Sequence, residues 1–222
     1  MKPPRSFAAL QIVATTLIFT VGCGDAPSPE PSDEADLPGV AGSVGGAFAE
    51  IVGQAPRASQ GSPSVVMLRP RAAVDVPVPD SPAVMDQFGR EFIPRLLVVR
   101  EGQEVLFKNS EDELHTVHVK DGENASLFNV AMPIQGGEHT HTFSQAGDYA
   151  VSCNAHPEMH ATILVVQTPY AVVANRDGSF TLSGVTPDTY DLTLRQGVQR
   201  HDEVVEITSG QNKVEVEFPS AG

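Results

Sequence analysis

The sequence is poor in several residues that mark common protein classes. Tryptophan is absent, and only two of the 222 residues are cysteines, Cys23 and Cys153, which are too few for a disulfide scaffold. Basic residues are also scarce, with 14 against 28 acidic ones and a formal charge of −14. Because phosphate binding needs a basic face, this balance argues against a nucleic-acid partner.

The long apolar run at the N-terminus, residues 7–21, is too short to span a membrane, since a transmembrane helix needs about 20 residues. Lys2 and Arg5 precede it, so residues 1–22 are predicted to be a signal peptide. The run ends in Val21-Gly22-Cys23, which resembles a bacterial lipoprotein box, although Thr20 stands where that box usually has leucine. The resemblance implies that Cys23 is lipidated. A plain secretory signal is the alternative, and either signal exports the protein.

Residues 24–37 contain three prolines and five acidic residues. Such a segment cannot build a core and is extended by its stiffness and by charge repulsion. We therefore predict that residues 23–38 form a lipidated tether. The expected location is the periplasmic or outer face of a membrane, with the lipid as the anchor.

Downstream, short alternating apolar runs are separated by turn residues, a pattern typical of an all-β fold. We expect β-sandwich architecture. The predicted strands cover residues 43–51, 64–68, 95–100, 104–108, 115–120, 127–132, 139–143, 148–153, 162–166, 171–174, 180–182, 190–195, 204–207 and 213–218.

Three potential metal ligands, Cys153, His156 and Met159, occur at three-residue intervals from the end of one predicted strand. A tight loop can aim all three side chains at one point. Upstream, His115 begins another predicted strand. Two imidazoles, a thiolate and a weak thioether are the ligand set of a blue-copper electron-transfer site.

The pattern Cys153-x-x-His156-x-x-Met159, with Leu114-His115-Thr116 upstream, resembles the cupredoxins, and its short ligand loop is most similar to the amicyanin and plastocyanin branch. The resemblance covers residues 92–167 and implies a Greek-key β-sandwich, which we assign to residues 80–167. It also implies one type 1 copper ion held by His115, Cys153, His156 and Met159. Thr116 stands where cupredoxins often have an asparagine that ties the ligand loops together.

Other interpretations of these residues are open. Cys153 could be a buried structural thiol with incidental histidines nearby. Zinc could occupy the same residues, although structural zinc sites favour more thiolates and do not need methionine. A binuclear copper centre would need a second cysteine in the loop, and none exists there. A multicopper oxidase would need several His-x-His pairs, which the single His139-Thr140-His141 does not supply.

The remaining histidines on predicted strands are weaker candidates. His115 and His118 are an odd number of positions apart, so their side chains face opposite sides of the sheet, and His115 is the better ligand. His139 and His141 share a face and could form a weak second metal site. Two imidazoles without a third ligand are more typical of a solvated strand.

The segments Asp177-Gly178-x-Phe180 and Pro187-x-x-Tyr190 resemble the carboxypeptidase regulatory-like domain, a small transthyretin-like β-sandwich without catalysis of its own. The strands after Pro169 are too few for an independent core. We therefore predict that residues 39–70 and 169–219 form this sandwich together, with the cupredoxin domain inserted between them. The alternative is a serial arrangement in which residues 39–68 add an edge hairpin.

The cupredoxin resemblance implies an electron carrier of the cell envelope that is not an enzyme. The electron would pass through the edge of His156, which we expect to protrude through an apolar rim. The expected partner is a redox protein such as a c-type cytochrome or a dehydrogenase, and a monomer is favoured. Copper storage or delivery is one alternative, although the five methionines are not clustered. A non-redox structural lipoprotein that works through the second sandwich is another.

Overall fold

A computed structural model describes residues 48–219, and every regular element in this range is a β-strand. The predicted signal peptide, Cys23, the tether and the start of the first predicted strand lie outside the described residues. No helix suited to crossing a membrane occurs in the described range. The strands are β1 Ala49–Gln54, β2 Val65–Pro70, β3 Ala83–Phe88, β4 Glu91–Ile93, β5 Leu96–Arg100, β6 Glu104–Asn109, β7 His115–Lys120, β8 Ser126–Met132, β9 Glu138–Thr142, β10 Gly147–Ser152, β11 His160–Val166, β12 Tyr170–Val173, β13 Ser179–Val185, β14 Asp188–Gln196, β15 Gln199–Ile207 and β16 Gly210–Glu215.

The middle of the chain folds into one sandwich of two sheets, with strand orders β5-β11-β10-β7-β8 and β4-β3-β6-β9. Strands β6 and β7 alternate strictly between inward and outward residues, because successive side chains of a strand point to opposite faces. Their inward residues include Val105, Phe107, Val117 and Val119, all fully buried. This sandwich encloses the apolar core that carries the predicted ligand loop at one end.

A second sandwich has sheets of order β13-β1-β16 and β12-β2-β14-β15. Strand β1 pairs antiparallel with β13 and parallel with β16, and β2 lies between β12 and β14. Each sheet therefore combines a strand that precedes residue 83 with strands that follow residue 166. Its core contains Ile51, Leu68, Tyr190 and Leu192, which occupy the inward positions of alternating strands.

The two sandwiches meet through a small apolar cluster around Val65, Leu164 and Val166. An ion pair between Arg195 and Asp148, with a nitrogen–oxygen distance of 2.8 Å, lies beside this cluster. Asp148 lies near the start of β10, whereas the ligand loop follows the end of that strand. The contact between the sandwiches is therefore remote from the predicted metal site.

The all-β prediction is confirmed, and each predicted strand overlaps an observed one. Strands β3 and β4 were not predicted. The inward residues of β3 are Met85 and Gln87, and the polar glutamine interrupts the apolar alternation that marks a strand. Strand β4 is only three residues long, which is too short to show a pattern.

Candidate metal centre

His115 is the first residue of β7 and is completely buried. Strand β7 is held between β8 and β10, and the strand alternation that directs Val117 and Val119 into the core also directs His115 inward. The imidazole therefore enters the site from inside the sandwich.

The other predicted ligands lie in the connection between β10 and β11, whose end residues Ser152 and His160 are paired. The loop closes on itself through two backbone hydrogen bonds. The N–H of Cys153 donates to the carbonyl of Met159 at 3.2 Å, and the N–H of Met159 donates to the carbonyl of His156 at 3.0 Å. Within this closed loop, the side chains of Cys153 and His156 face each other, with Sγ and Nδ1 3.8 Å apart.

Three donor atoms converge at that point. The Nδ1 atoms of His115 and His156 are 3.2 Å apart, and they lie 3.9 and 3.8 Å from Cys153 Sγ. Metal bonds of about 2.0 Å to nitrogen and about 2.3 Å to sulfur, the values known for zinc, require the donors to lie within about 4.3 Å of each other. All three separations meet this condition, so the residues fit a single metal ion.

Met159, the fourth predicted ligand, is 1% exposed and belongs to the same buried cluster as Cys153. A soft thioether is a ligand that copper accepts and that structural zinc sites do not use. Together with one thiolate and two imidazoles, it makes a donor set whose chemistry suits copper.

Thr116 connects the two segments that carry the ligands. Its backbone N–H donates to Cys153 Sγ at 3.3 Å, and its hydroxyl accepts a hydrogen bond from the backbone N–H of Asn154 at 2.6 Å. The threonine therefore makes the loop-to-loop connection for which cupredoxins often use asparagine at this position.

Two buried amides support the start of β7 and the segment that precedes it. Gln87 Nε2 donates to the carbonyl of Thr116 at 3.1 Å. Asn109 Nδ2 donates to the carbonyls of Glu113 and Met132, each at 2.9 Å. Because a buried amide is costly unless it is hydrogen-bonded, these contacts fix the path of the backbone that carries His115.

Sequence reasoning missed two carboxylates that contact the distal nitrogens of the imidazoles. Glu111 Oε2 lies 3.1 Å from His115 Nε2, and Glu113 Oε1 lies 3.1 Å from His156 Nε2. Acidic residues two and four positions before His115 were a usable signal. Arg90, which binds Glu113, gave no signal because it lies far away in sequence.

The electrostatics of the site favour a thiolate. Burial by itself raises the pKa of the Cys153 thiol, but hydrogen bonds from the Thr116 backbone and from His115 lower it to about 6. Burial lowers the pKa of His156, but its hydrogen bonds to Cys153 and Glu113 outweigh this effect and raise it. The site thus stabilises the deprotonated sulfur that a metal requires.

His156 protrudes less than predicted. Its side chain is only 14% exposed, and Glu113 contacts the Nε2 edge that would otherwise face solvent. The apolar side chains of Phe88, Leu114 and Ile134 are exposed on segments that border the site. These segments therefore contribute exposed apolar side chains, and an acidic group lies at the imidazole itself.

The remaining histidines lie outside the donor cluster. His118 contacts Asn154 and Ser126. His139 and His141 share a face, as expected, but they are half-buried against Phe128 rather than solvated. Within residues 48–219, they belong to no group of three metal-ligating histidine, cysteine or carboxylate side chains.

Comparison with known proteins places similarity over the first sandwich. Residues 83–166 match the family of copper binding proteins described as plastocyanin/azurin. A reduced amicyanin variant is 30% identical to this chain, and the match covers 40% of this chain and 86% of the amicyanin chain with a TM-score of 0.36. A purple cupredoxin from Nitrosopumilus maritimus is 21% identical, and the match covers 38% of this chain and 99% of the cupredoxin chain with a TM-score of 0.34. No curated protein matches the chain.

Proposed function

Because residues 83–166 form a cupredoxin domain, a copper-binding domain of the plastocyanin/azurin family, we propose that this protein is a type 1 copper electron carrier. Its proposed ligands are His115, Cys153, His156 and Met159. The observation that carries the proposal is the convergence of two imidazole nitrogens and one thiol sulfur, 3.2–3.9 Å apart, beside a buried methionine.

Copper, when bound, supplies a couple between two oxidation states that differ by one electron. The chain supplies donors that both states accept, a thiolate with two imidazoles and a weak thioether. Hydrogen bonds of Thr116 with Cys153 and Asn154 hold the two ligand segments together, and Gln87 anchors Thr116 to β3. A donor set that is already in place changes little between states, and this keeps the cost of reorganisation on electron transfer small.

The electron route in this proposal leaves through His156, the ligand with partial exposure. The exposed apolar side chains of Leu114 and Phe88 lie on the adjoining segments, where a partner could exclude water from the contact. We assign no substrate chemistry to the protein, so it is not an enzyme in this proposal.

The proposed partner is another redox protein, such as a c-type cytochrome or a dehydrogenase. A formal charge of −14 favours a partner with a basic docking face and association rates that fall with salt. The proposed location is the cell envelope, with a lipid on Cys23 as the membrane anchor, and the support for this is the N-terminal sequence alone. Replacing Cys23 by serine should release the protein from membranes.

The test is the visible absorption and EPR spectrum of the full-length protein purified in detergent and loaded with Cu(II). An intense blue colour with a narrow copper hyperfine splitting is the expected result. A colourless protein that still binds copper would instead support storage or delivery. A protein that binds no copper would contradict the metal site and leave a structural lipoprotein.

A further inference from the structure

We propose that Glu113, held by Arg90, is a positioning residue that fixes the ring of His156 and lowers the midpoint potential of the copper site. The inference rests on the proposed role of His156 as a copper ligand. It concerns residues that the cupredoxin pattern does not include and that lie in the shell around the donor atoms.

The geometry is a chain of three side chains. Arg90 binds both carboxylate oxygens of Glu113, with Nη2 at 2.7 Å from Oε1 and Nε at 3.1 Å from Oε2. Glu113 Oε1 in turn lies 3.1 Å from His156 Nε2. A two-point contact of this kind fixes the direction of the carboxylate as well as its charge.

Glu113 is also held from its backbone. Asn109 Nδ2 donates to its carbonyl at 2.9 Å, so the residue is fixed at both ends. Arg90 has a φ of 55° in the turn between β3 and β4, a left-handed conformation that is unfavourable for a non-glycine residue. The same residue donates its backbone N–H to Glu111 at 3.1 Å, so this turn supports both carboxylates.

The contact with His156 determines which ring nitrogen is available to a metal. An ionised carboxylate can only accept a hydrogen bond, so Glu113 requires the ring proton to lie on Nε2. The lone pair is then left on Nδ1, and Nδ1 is the atom that faces Cys153 Sγ and His115 Nδ1. Glu113 therefore selects the tautomer that can bind the metal in this geometry.

The same contact affects the oxidation state that the site prefers. A hydrogen bond to a carboxylate raises the basicity of a ligand imidazole, and losing such a partner typically weakens metal binding about 10–100-fold. The more highly charged Cu(II) gains more from a basic ligand than Cu(I) does. We expect the contact to lower the midpoint potential for this reason.

An ordinary surface ion pair would not have this effect. Exposed pairs contribute little to stability, and Arg90 with Glu113 alone would be such a pair, with side chains 57% and 36% exposed. The difference is the third member, an imidazole that is 14% exposed and points its other nitrogen at the donor cluster. The chain of contacts thus extends from the exposed Arg90 through Glu113 to His156, a proposed copper ligand.

The test compares Glu113→Gln and Glu113→Ala with Glu158→Gln in the full-length protein. Glu158 is an exposed acid of the same ligand loop, so its variant measures the effect of removing a nearby charge without removing a contact to His156. One measurement is the midpoint potential of each copper-loaded protein. The other is the tautomer of the neutral His156 ring in the copper-free protein, from nitrogen-15 NMR at a pH where the ring is not protonated.

We expect Glu113→Gln to weaken Cu(II) binding about tenfold relative to Cu(I), which for one electron is a rise of about 59 mV. Its amide oxygen still accepts a hydrogen bond, so the Nε2–H tautomer should persist, whereas Glu113→Ala should give a mixture. Glu158→Gln should move the potential much less and leave the tautomer unchanged.

The proposal is overturned if both Glu113 variants shift the potential no more than Glu158→Gln does and the alanine variant keeps the tautomer. A wild-type protein that binds no copper would overturn the proposed function instead. The NMR comparison needs no copper, so it still decides whether Glu113 positions the His156 ring.

Discussion

The two sandwiches of this chain both bury polar side chains, but they use them for different purposes. In the second sandwich, Ser64 bonds to the carbonyl of Pro56, and Gln196 bonds to the carbonyl of Arg57 and to Ser64. These contacts connect backbone segments and involve no metal-binding group. Their role is to join residues 56–64 to the end of β14.

In the cupredoxin sandwich, the buried polar groups converge. Gln87 holds Thr116, and the N–H of Thr116 contacts the sulfur of Cys153. Asn109 holds the carbonyl of Glu113, whose carboxylate contacts His156. Buried polar groups are expected to have partners, and the amide nitrogens of Gln87, Asn109 and Gln196 do, whereas Gln87 Oε1 and His139 Nε2 in the cupredoxin sandwich have none within residues 48–219. The lesson is that a functional site is recognised by where the hydrogen bonds lead, not by how many there are.

The largest expected effect comes from Cys153→Ser. The serine hydroxyl lacks the soft thiolate that defines the copper site, so the blue absorption should disappear completely. Visible spectroscopy of the Cu(II)-loaded variant measures this. A variant that stays blue would show that Cys153 is not the sulfur ligand. The buried hydrogen bonds of the cupredoxin sandwich would then no longer differ from those of the second sandwich in leading to a metal ligand.

A matched pair of amide variants tests the comparison directly. Gln196→Ala and Gln87→Ala should each lower the free energy of unfolding by about 1–3 kcal/mol, because each leaves a partly or fully buried partner without that hydrogen bond. Only Gln87→Ala should also change the position or intensity of the blue band, through Thr116. Chemical denaturation and visible spectra measure the two effects. If both variants have the same visible spectrum, the proposed difference between the buried amides of the two sandwiches is wrong.

Met159→Gln should have an intermediate effect. The proposed thioether is a weak ligand, so an amide in its place should keep the blue colour and shift the midpoint potential. Spectroelectrochemistry gives both values from one sample. Complete loss of colour would mean that Met159 contributes more to the site than a weak axial ligand does.

The smallest effect is expected from His118→Ala. This ring contacts Asn154 and Ser126 and lies outside the donor cluster. The absorption spectrum should be nearly unchanged, and the variant is therefore a control for removing a histidine from β7. A colourless His118 variant would overturn the choice of His115 as the first ligand.

Much of the fold could be predicted because alternating apolar residues and turn residues act locally. The strands of residues 115–120 and 204–207, for example, are visible as short β-branched runs. Strand β3 was missed because one of its two buried residues is Gln87. The burial of this amide is favourable because it is hydrogen-bonded to the carbonyl of Thr116. Because Thr116 is distant in the sequence, local pattern does not reveal that partner.

The candidate donor residues could also be recognised from the sequence. Their spacing places Cys153, His156 and Met159 in one loop, and ligand chemistry makes His115 their natural complement. What remained open was the surroundings of each donor. The chain alone predicted an exposed His156, whereas Glu113 covers its edge, and it predicted a solvated His139–His141 pair that instead packs on aromatic rings.

The order and type of the proposed metal ligands therefore follow from local sequence, since a short loop restricts where its own side chains can point. The hydrogen bonds around those ligands depend on residues from separate strands, such as Arg90 in the β3–β4 turn and Glu113 before β7. These contacts form only after the sheets have packed, so tertiary structure alone decides them. In our proposal, that shell sets both the tautomer of His156 and the potential of the site.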